Sequence, residues 1–276
     1  MKKLFRILVI GILTAFSFYY TNKMIELTRS KDPIMMEIVS KANLYNAEPV
    51  NAEISGDFII PGLSGLEVDV QKSYEKMKQL GKFNKNLLVF NLVRPKSSYK
   101  TNYDKYIISG NNKKANIAIV FSVTTSNYLS ELLSILERNN LKLTFFVDGK
   151  WLVDNPEDAK LIINHDIENF GYLGNVTASD IKKTNNLIEN LNNKKSNYCL
   201  DNGNNTIVTC SKESMYTIKG INTGYSVFKD IKDNLTNGVI YHLKINEYTI
   251  NELEITLRFI KQKGYEIKTI NDLLKE

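Results

Sequence analysis

Apolar and polar positions divide the chain into a basic start, an uncharged stretch, a polar segment and then regularly alternating apolar runs. Lys2, Lys3 and Arg6 precede an uncharged run of 16 residues from Ile7 to Asn22. A bilayer span takes ~20 residues, and Leu4, Phe5, Met24 and Ile25 extend the run if Arg6 and Lys23 snorkel. The basic flank predicts an N-terminus held inside. The expectation is a transmembrane anchor over 1–27 in the cell membrane, single-pass, with the N-terminus cytoplasmic and the bulk of the chain extracytoplasmic. A cleaved signal peptide, with Ala15-Phe16-Ser17 as a poor small-x-small site, and a buried globular helix are the alternatives.

Residues 28–50 read as a polar, weakly helical stalk. Over 51–112 a small αβ domain is expected. Phe58-Ile59-Ile60 reads as a short strand ending at Pro61-Gly62. Asp69 caps a helix that Gly81 closes, and a strand over 87–93 stops before Pro95. From residue 115 the periodicity becomes regular. Residues 117–121 form a continuous apolar strand of the buried parallel kind, and Leu129, Leu132, Leu133 and Leu136 mark one helix face. Further strands are expected at 143–147, around Ile167, at 239–243 and at 265–267. The helices between them include one starting at Pro156, one capped by Thr177 or Ser179, one over 250–263 and a last short one capped by Asn271. Strands alternating with helices give the α/β class with a parallel sheet, a barrel among its forms.

Charged residues are 24% and hydrophobic ones 43% of the chain, a globular composition. The net charge of +6 suits anionic wall polymers and is too diffuse to argue for nucleic acid. Two His and two Cys rule out a His-rich or Cys-rich metal centre by count. Cys199 and Cys210 lie eleven apart around Asp201-Asn202-Gly203, and read as a disulfide or as two buried thiols. The segment from Gly220 to Gly224 does not stand between a strand and a helix as a phosphate loop requires.

Residues 143–151, LTFFVDGKW, and 263–270, KGYEIKTI, together with 238–241, GVIY, resemble in order three scaffold segments of the polysaccharide deacetylase (NodB homology) family. The match runs from Ala115 to Leu274 and implies a domain over 115–276 with that family's distorted (β/α) barrel. Enzymes of the family hold a divalent metal with one Asp and two His. A second Asp activates water, and a late His acts as general acid on an N-acetyl sugar. Here the T-F-D-D-G-P segment falls on 120–125, which puts Ser122 at the base and Val123 at the metal Asp. The H-x-x-x-H pair falls on Phe170 and Gly174, the R-P-P-Y-G loop falls near 199–203, and the late His falls on Lys244 with His242 two residues earlier on the same strand face. Valine cannot ligate a metal. The resemblance therefore implies a degenerate member with no catalytic residue, no metal and no cofactor.

Asp148, Asp166, Glu168 and His165 read as caps, turns or structural groups. Ser122, Thr124, Tyr172, His242 and Lys244 are the candidate substrate-binding residues of the former groove, because hydroxyls, an aromatic face and a cation can hold a glycan without turnover. The expected role is binding of cell-wall glycan or peptidoglycan, or scaffolding of other wall proteins. The alternative is a divergent carbohydrate deacetylase or hydrolase acting on C–N amide bonds from a relocated site.

Overall fold

The computed structural model describes residues 2–203 and 205–276. In chain order the elements are α1 (Lys2–Ser30), α2 (Pro33–Ala42), β1 (Glu53–Ser55), β2 (Phe58–Ile60), β3 (Gly65–Val68), α3 (Val70–Lys78), β4 (Phe90–Val93), β5 (Tyr106–Ile107) and β6 (Asn116–Val123). They continue with α4 (Leu129–Arg138), β7 (Thr144–Val147), α5 (Gly149–Asp154), α6 (Pro156–Leu161), β8 (Asp166–Asn169), α7 (Ala178–Asn192), β9 (Tyr198–Leu200) and α8 (Thr206–Lys212). The last are β10 (Tyr216–Ile218), β11 (Ile221–Asn222), α9 (Val227–Asn234), β12 (Ile240–Lys244), α10 (Glu247–Gln262), β13 (Glu266–Lys268) and α11 (Ile270–Leu273).

The described residues form two compact units. One runs to Pro49 and includes Ser64–Arg94; the other comprises Val50–Leu63 and Pro95–Glu276. The segment 51–112, read from the sequence as one small αβ domain, contributes to both. In the first unit Asp32 caps α2 and also accepts from the Tyr74 hydroxyl at 2.9 Å. Residues 28–50, read as a stalk, thus carry a helix whose Met35 and Ile38 are buried with Val68, Tyr74 and Met77.

No helix among the described residues is long and apolar enough to cross a membrane, which overturns the expected transmembrane anchor and its single-pass placement. Length is not what α1 lacks, since it runs 29 residues. Across the part of α1 whose side chains are described, Thr14, Ser17, Tyr19, Tyr20, Thr21 and Asn22 interrupt the apolar residues, and Lys23 and Glu26 follow. The Thr14 and Thr21 hydroxyls bond back to the carbonyls of Ile10 and Ser17, one turn earlier.

The second unit is built on one curled sheet in the order β1-β2-β5-β10-β9-β8-β7-β6-β12-β11, with β13 also paired to β6. Apart from the β1–β2 hairpin its pairings are parallel. The path stays open, a half-barrel rather than the closed form. Alternation along each strand sorts the side chains into two layers. Ile117, Ile119, Phe121, Val123, Phe145, Val147, Tyr241 and Leu243 join Leu132, Leu136, Leu253 and Leu257 of α4 and α10 in the outer core. Ala118, Val120, Phe146, Tyr198, Leu200, Ile218 and Ile240 fill the concave side. The C-terminal Glu276 closes that side, because its carboxylate accepts from the backbone N–H of Gly62 and Tyr99 and from the Ser98 hydroxyl.

Candidate functional site

In a parallel sheet the chemistry sits where the strands end and the loops begin. Ser122 occupies that end of β6, opposite Lys244 of β12 and Phe146 of β7. It is 8% exposed. His242 of β12 reaches it across the strand pair, with Nε2 2.9 Å from Ser122 Oγ. On the other side of the ring, Nδ1 lies 2.6 Å from Oδ1 of Asn222, which β11 places directly beside His242. An amide oxygen only accepts, so Nδ1 carries the proton and Nε2 is left to accept from the Ser122 hydroxyl. The Phe170 ring stands edge-on to the imidazole with centroids 6.4 Å apart. Burial, helped by the positive charge of Lys244, pulls the His242 pKa down to about 4, so the ring is neutral at physiological pH.

Three of the five residues expected to bind substrate therefore stand together: Ser122 and His242 in contact, with Lys244 following on the same face. Thr124 is exposed and lines a hollow of about 320 Å³ with Asp148, Trp151, Asn155, Leu173 and Gly174. Tyr172 is taken up elsewhere. Its ring lies 3.6 Å beneath the Lys183 ammonium of α7, and a Cβ on Gly149 would come within 2.7 Å of it. Asn222 escaped the sequence reading. It sits in a two-residue strand with no periodicity of its own, and only the β11–β12 pairing makes it a partner of His242.

The positions that carry the family's metal ligands hold no donor set. Val123 is fully buried in the outer core, Phe170 is half-buried beside His242, and Gly174 occupies a left-handed turn at φ +70°. Among the described residues no group of three or more His, Cys, Asp or Glu side chains could hold a metal ion. Asp148, one of the carboxylates lining the hollow beside Thr124, is committed to the backbone: it accepts from Lys150 and Trp151 N–H at the start of α5 and from Gly174 N–H at 3.0 Å. Glu168 is 3% exposed and accepts three bonds at one oxygen, from the Ser196 hydroxyl and the N–H groups of Asn197 and Tyr198. Cys199 of β9 and Cys210 of α8 form a disulfide with their Cα atoms 6.5 Å apart.

Residues 109–199, the span that holds Ser122, Val123, Phe170 and Gly174, match the model of the polysaccharide deacetylase family. The uncharacterized protein YlxY of Bacillus subtilis (strain 168) is 31% identical, over 91% of this chain and 86% of its own. The chain belongs to the polysaccharide deacetylase family. Among solved structures it is similar to wild-type BA3943, a CE4 family pseudoenzyme from Bacillus anthracis, with a TM-score of 0.70, 26% identity, and 89% of this chain and 96% of that one covered. A BA3943 mutant described as a CE4 family pseudoenzyme with restored enzymatic activity aligns at a TM-score of 0.70 and 25% identity, over 88% of this chain and 98% of its own. This polysaccharide deacetylase family chain thus pairs the family's fold with Val123, Phe170 and Gly174 at the positions onto which the sequence resemblance maps the metal ligands.

Proposed function

We propose that the protein does not run the family's metal-dependent deacetylation and instead binds a cell-wall glycan, peptidoglycan included, at the strand ends around Ser122, His242 and Lys244. The observation that carries this reading is the set Val123, Phe170 and Gly174, none of which offers a ligand atom from its side chain. A catalytic divalent cation needs three protein ligands and an open position. The similarity to a CE4 pseudoenzyme supports the same conclusion. What remains is a hydroxyl, an imidazole, an exposed ammonium and, on the following loop, the hydroxyl of Thr124, groups suited to hydrogen-bonding sugar hydroxyls. Tyr172 belongs to the binding residues only if its ring leaves Lys183. Scaffolding of other wall proteins is the partner role that this binding would serve.

The test has two parts on the full chain. A calorimetric zinc titration of the wild type is expected to give no stoichiometric heat, and co-sedimentation with insoluble peptidoglycan is expected to carry the protein down. Lys244→Ala with Ser122→Ala should weaken the sedimentation several-fold without lowering the melting temperature much. One-site tight zinc binding, or wild-type protein left wholly in the supernatant, would overturn the reading.

A further inference from the structure

Loss of the metal has left a different constellation in its place. A nucleophile within hydrogen-bond reach of a base, with the base oriented by a third group, is the arrangement that activates a weak hydroxyl. Ser122 Oγ, His242 Nε2 at 2.9 Å, and Asn222 Oδ1 at 2.6 Å from Nδ1 form such a line. The tautomer is the productive one, since Nε2 is free to receive the hydroxyl proton. The position is also right, at the C-terminal end of adjacent parallel strands. Lys244 brings a positive charge to the same face, where an oxyanion could be offset.

We propose that Ser122, His242 and Asn222 form a metal-independent acyl-transfer relay that takes carboxylic esters of short acyl chains. Ser122 Oγ attacks the ester carbonyl carbon while its proton passes to His242 Nε2. The tetrahedral adduct collapses as the C–O bond to the alcohol breaks, and His242 returns that proton to the departing alkoxide. Water then attacks the acyl-serine, giving up its proton to His242 Nε2. Carboxylic acid leaves, and Ser122 regains its proton from His242. No oxidant, reductant or metal is needed. Four features select the substrate class. Asn222 fixes the ring without lending negative charge to the imidazolium, and Lys244 opposes that cation, so the relay suits the more electrophilic ester rather than an amide. Phe170 stands edge-on beside the imidazole and narrows the space there, which favours a small acyl group such as acetyl. Ser122 is itself mostly covered.

This inference stands apart from the glycan reading, because it is measured without glycan and with zinc removed. The full chain is incubated with p-nitrophenyl acetate in excess EDTA, quenched in acid, and analysed by peptide mass spectrometry. The expected result is one acetyl group on the peptide holding Ser122, absent in Ser122→Ala. General-base assistance is worth about 10²–10⁴-fold, so His242→Gln should slow that acetylation by about a hundredfold or more. Asn222→Ala, at an exposed strand edge, is a milder variant that should slow it while leaving the fold intact by thermal melting. Acetyl groups found only on lysines, or Ser122 acetylated as fast in the two relay variants as in the wild type, would overturn the proposal.

Discussion

A buried and a half-buried titratable group on the concave side oppose one another, and their opposition makes a measurable prediction. Burial pushes the Glu168 carboxyl from its ordinary 4.5 up to about 7, against the pull of the Ser196 hydroxyl and the N–H groups of Asn197 and Tyr198, with Asp166 adding to the rise. Burial pulls His242 from 6.5 down to about 4, and Lys244 adds to the fall. Between pH 4.5 and 7 the folded Glu168 holds a proton that the unfolded chain has released, so raising the pH favours unfolding. Between pH 4 and 6.5 the unfolded His242 takes a proton that the folded ring refuses, so lowering the pH favours unfolding. At about 1.4 kcal/mol per pH unit, each window carries at most roughly 3.5 kcal/mol, and the two cancel where they overlap. Urea denaturation at half-unit steps from pH 4 to 7.5 measures this. The gap in stability between wild type and Glu168→Gln should move against the wild type as pH rises through 4.5–7. The gap between wild type and His242→Gln should move in its favour through 4–6.5. Parallel curves for either pair would refute the assignment of that group.

Reduction of the Cys199–Cys210 disulfide, or Cys199→Ser with Cys210→Ser, opens a loop of sequence separation 11. The loss by loop-closure entropy is about 3 kcal/mol, read as a lower urea midpoint in dithiothreitol than under non-reducing conditions. Rebuilding the family's ligand set by Val123→Asp, Phe170→His and Gly174→His should create zinc binding where the wild type has none. The Asp alone would place an unpaired carboxyl in a fully buried apolar position, at about 3–5 kcal/mol. A Cβ at 174 meets no atom within 4 Å, but a histidine there must hold φ +70°, at about 1–2 kcal/mol. The triple variant should therefore melt early without zinc and recover with it, and a melt indifferent to zinc would refute the mapping of the ligand positions.

The larger part of the sheet was legible because its strands are long or wholly apolar. The eight residues of β6, the run into β7 and the spaced leucines of α4 announce themselves by period alone. So do the caps Asp69 and Thr177, whose side chains accept from Lys72 and Asp180 N–H. The last cap shows the limit. Asn271 and Thr269 both fit the rule, yet Thr269 takes the cap while Asn271 turns its amide to Asp166 and Glu168. Three-residue strands such as β9 and β10 carry too few positions for a period. The β1–β2 hairpin joins the large sheet through Phe58 opposite Tyr106, a pairing no local signal encodes. The N-terminal helix misled in the other direction, since an uncharged run behind a basic flank was read as a bilayer span.

The same distinction explains the site. Residue types sufficed to see that the side chains of Val123, Phe170 and Gly174 offer no ligand atom, because that is a property of the residue itself. A hydrogen-bonded line is a property of neighbours. Ser122, His242 and Asn222 come from strands β6, β12 and β11, and the line exists only because β12 lies between the other two. The replacements also share a sign. A buried carboxylate at the strand end is tolerable beside a divalent cation and costly without one. Where the family places its two Asp residues, this chain has a valine packed in the outer core and a serine that donates to a neutral imidazole. Asn222, which orients that imidazole, is uncharged as well. On the metal-free reading proposed above, the uncharged Ser122–His242–Asn222 line, with Lys244 the one charge beside it, avoids that cost at the end of the sheet.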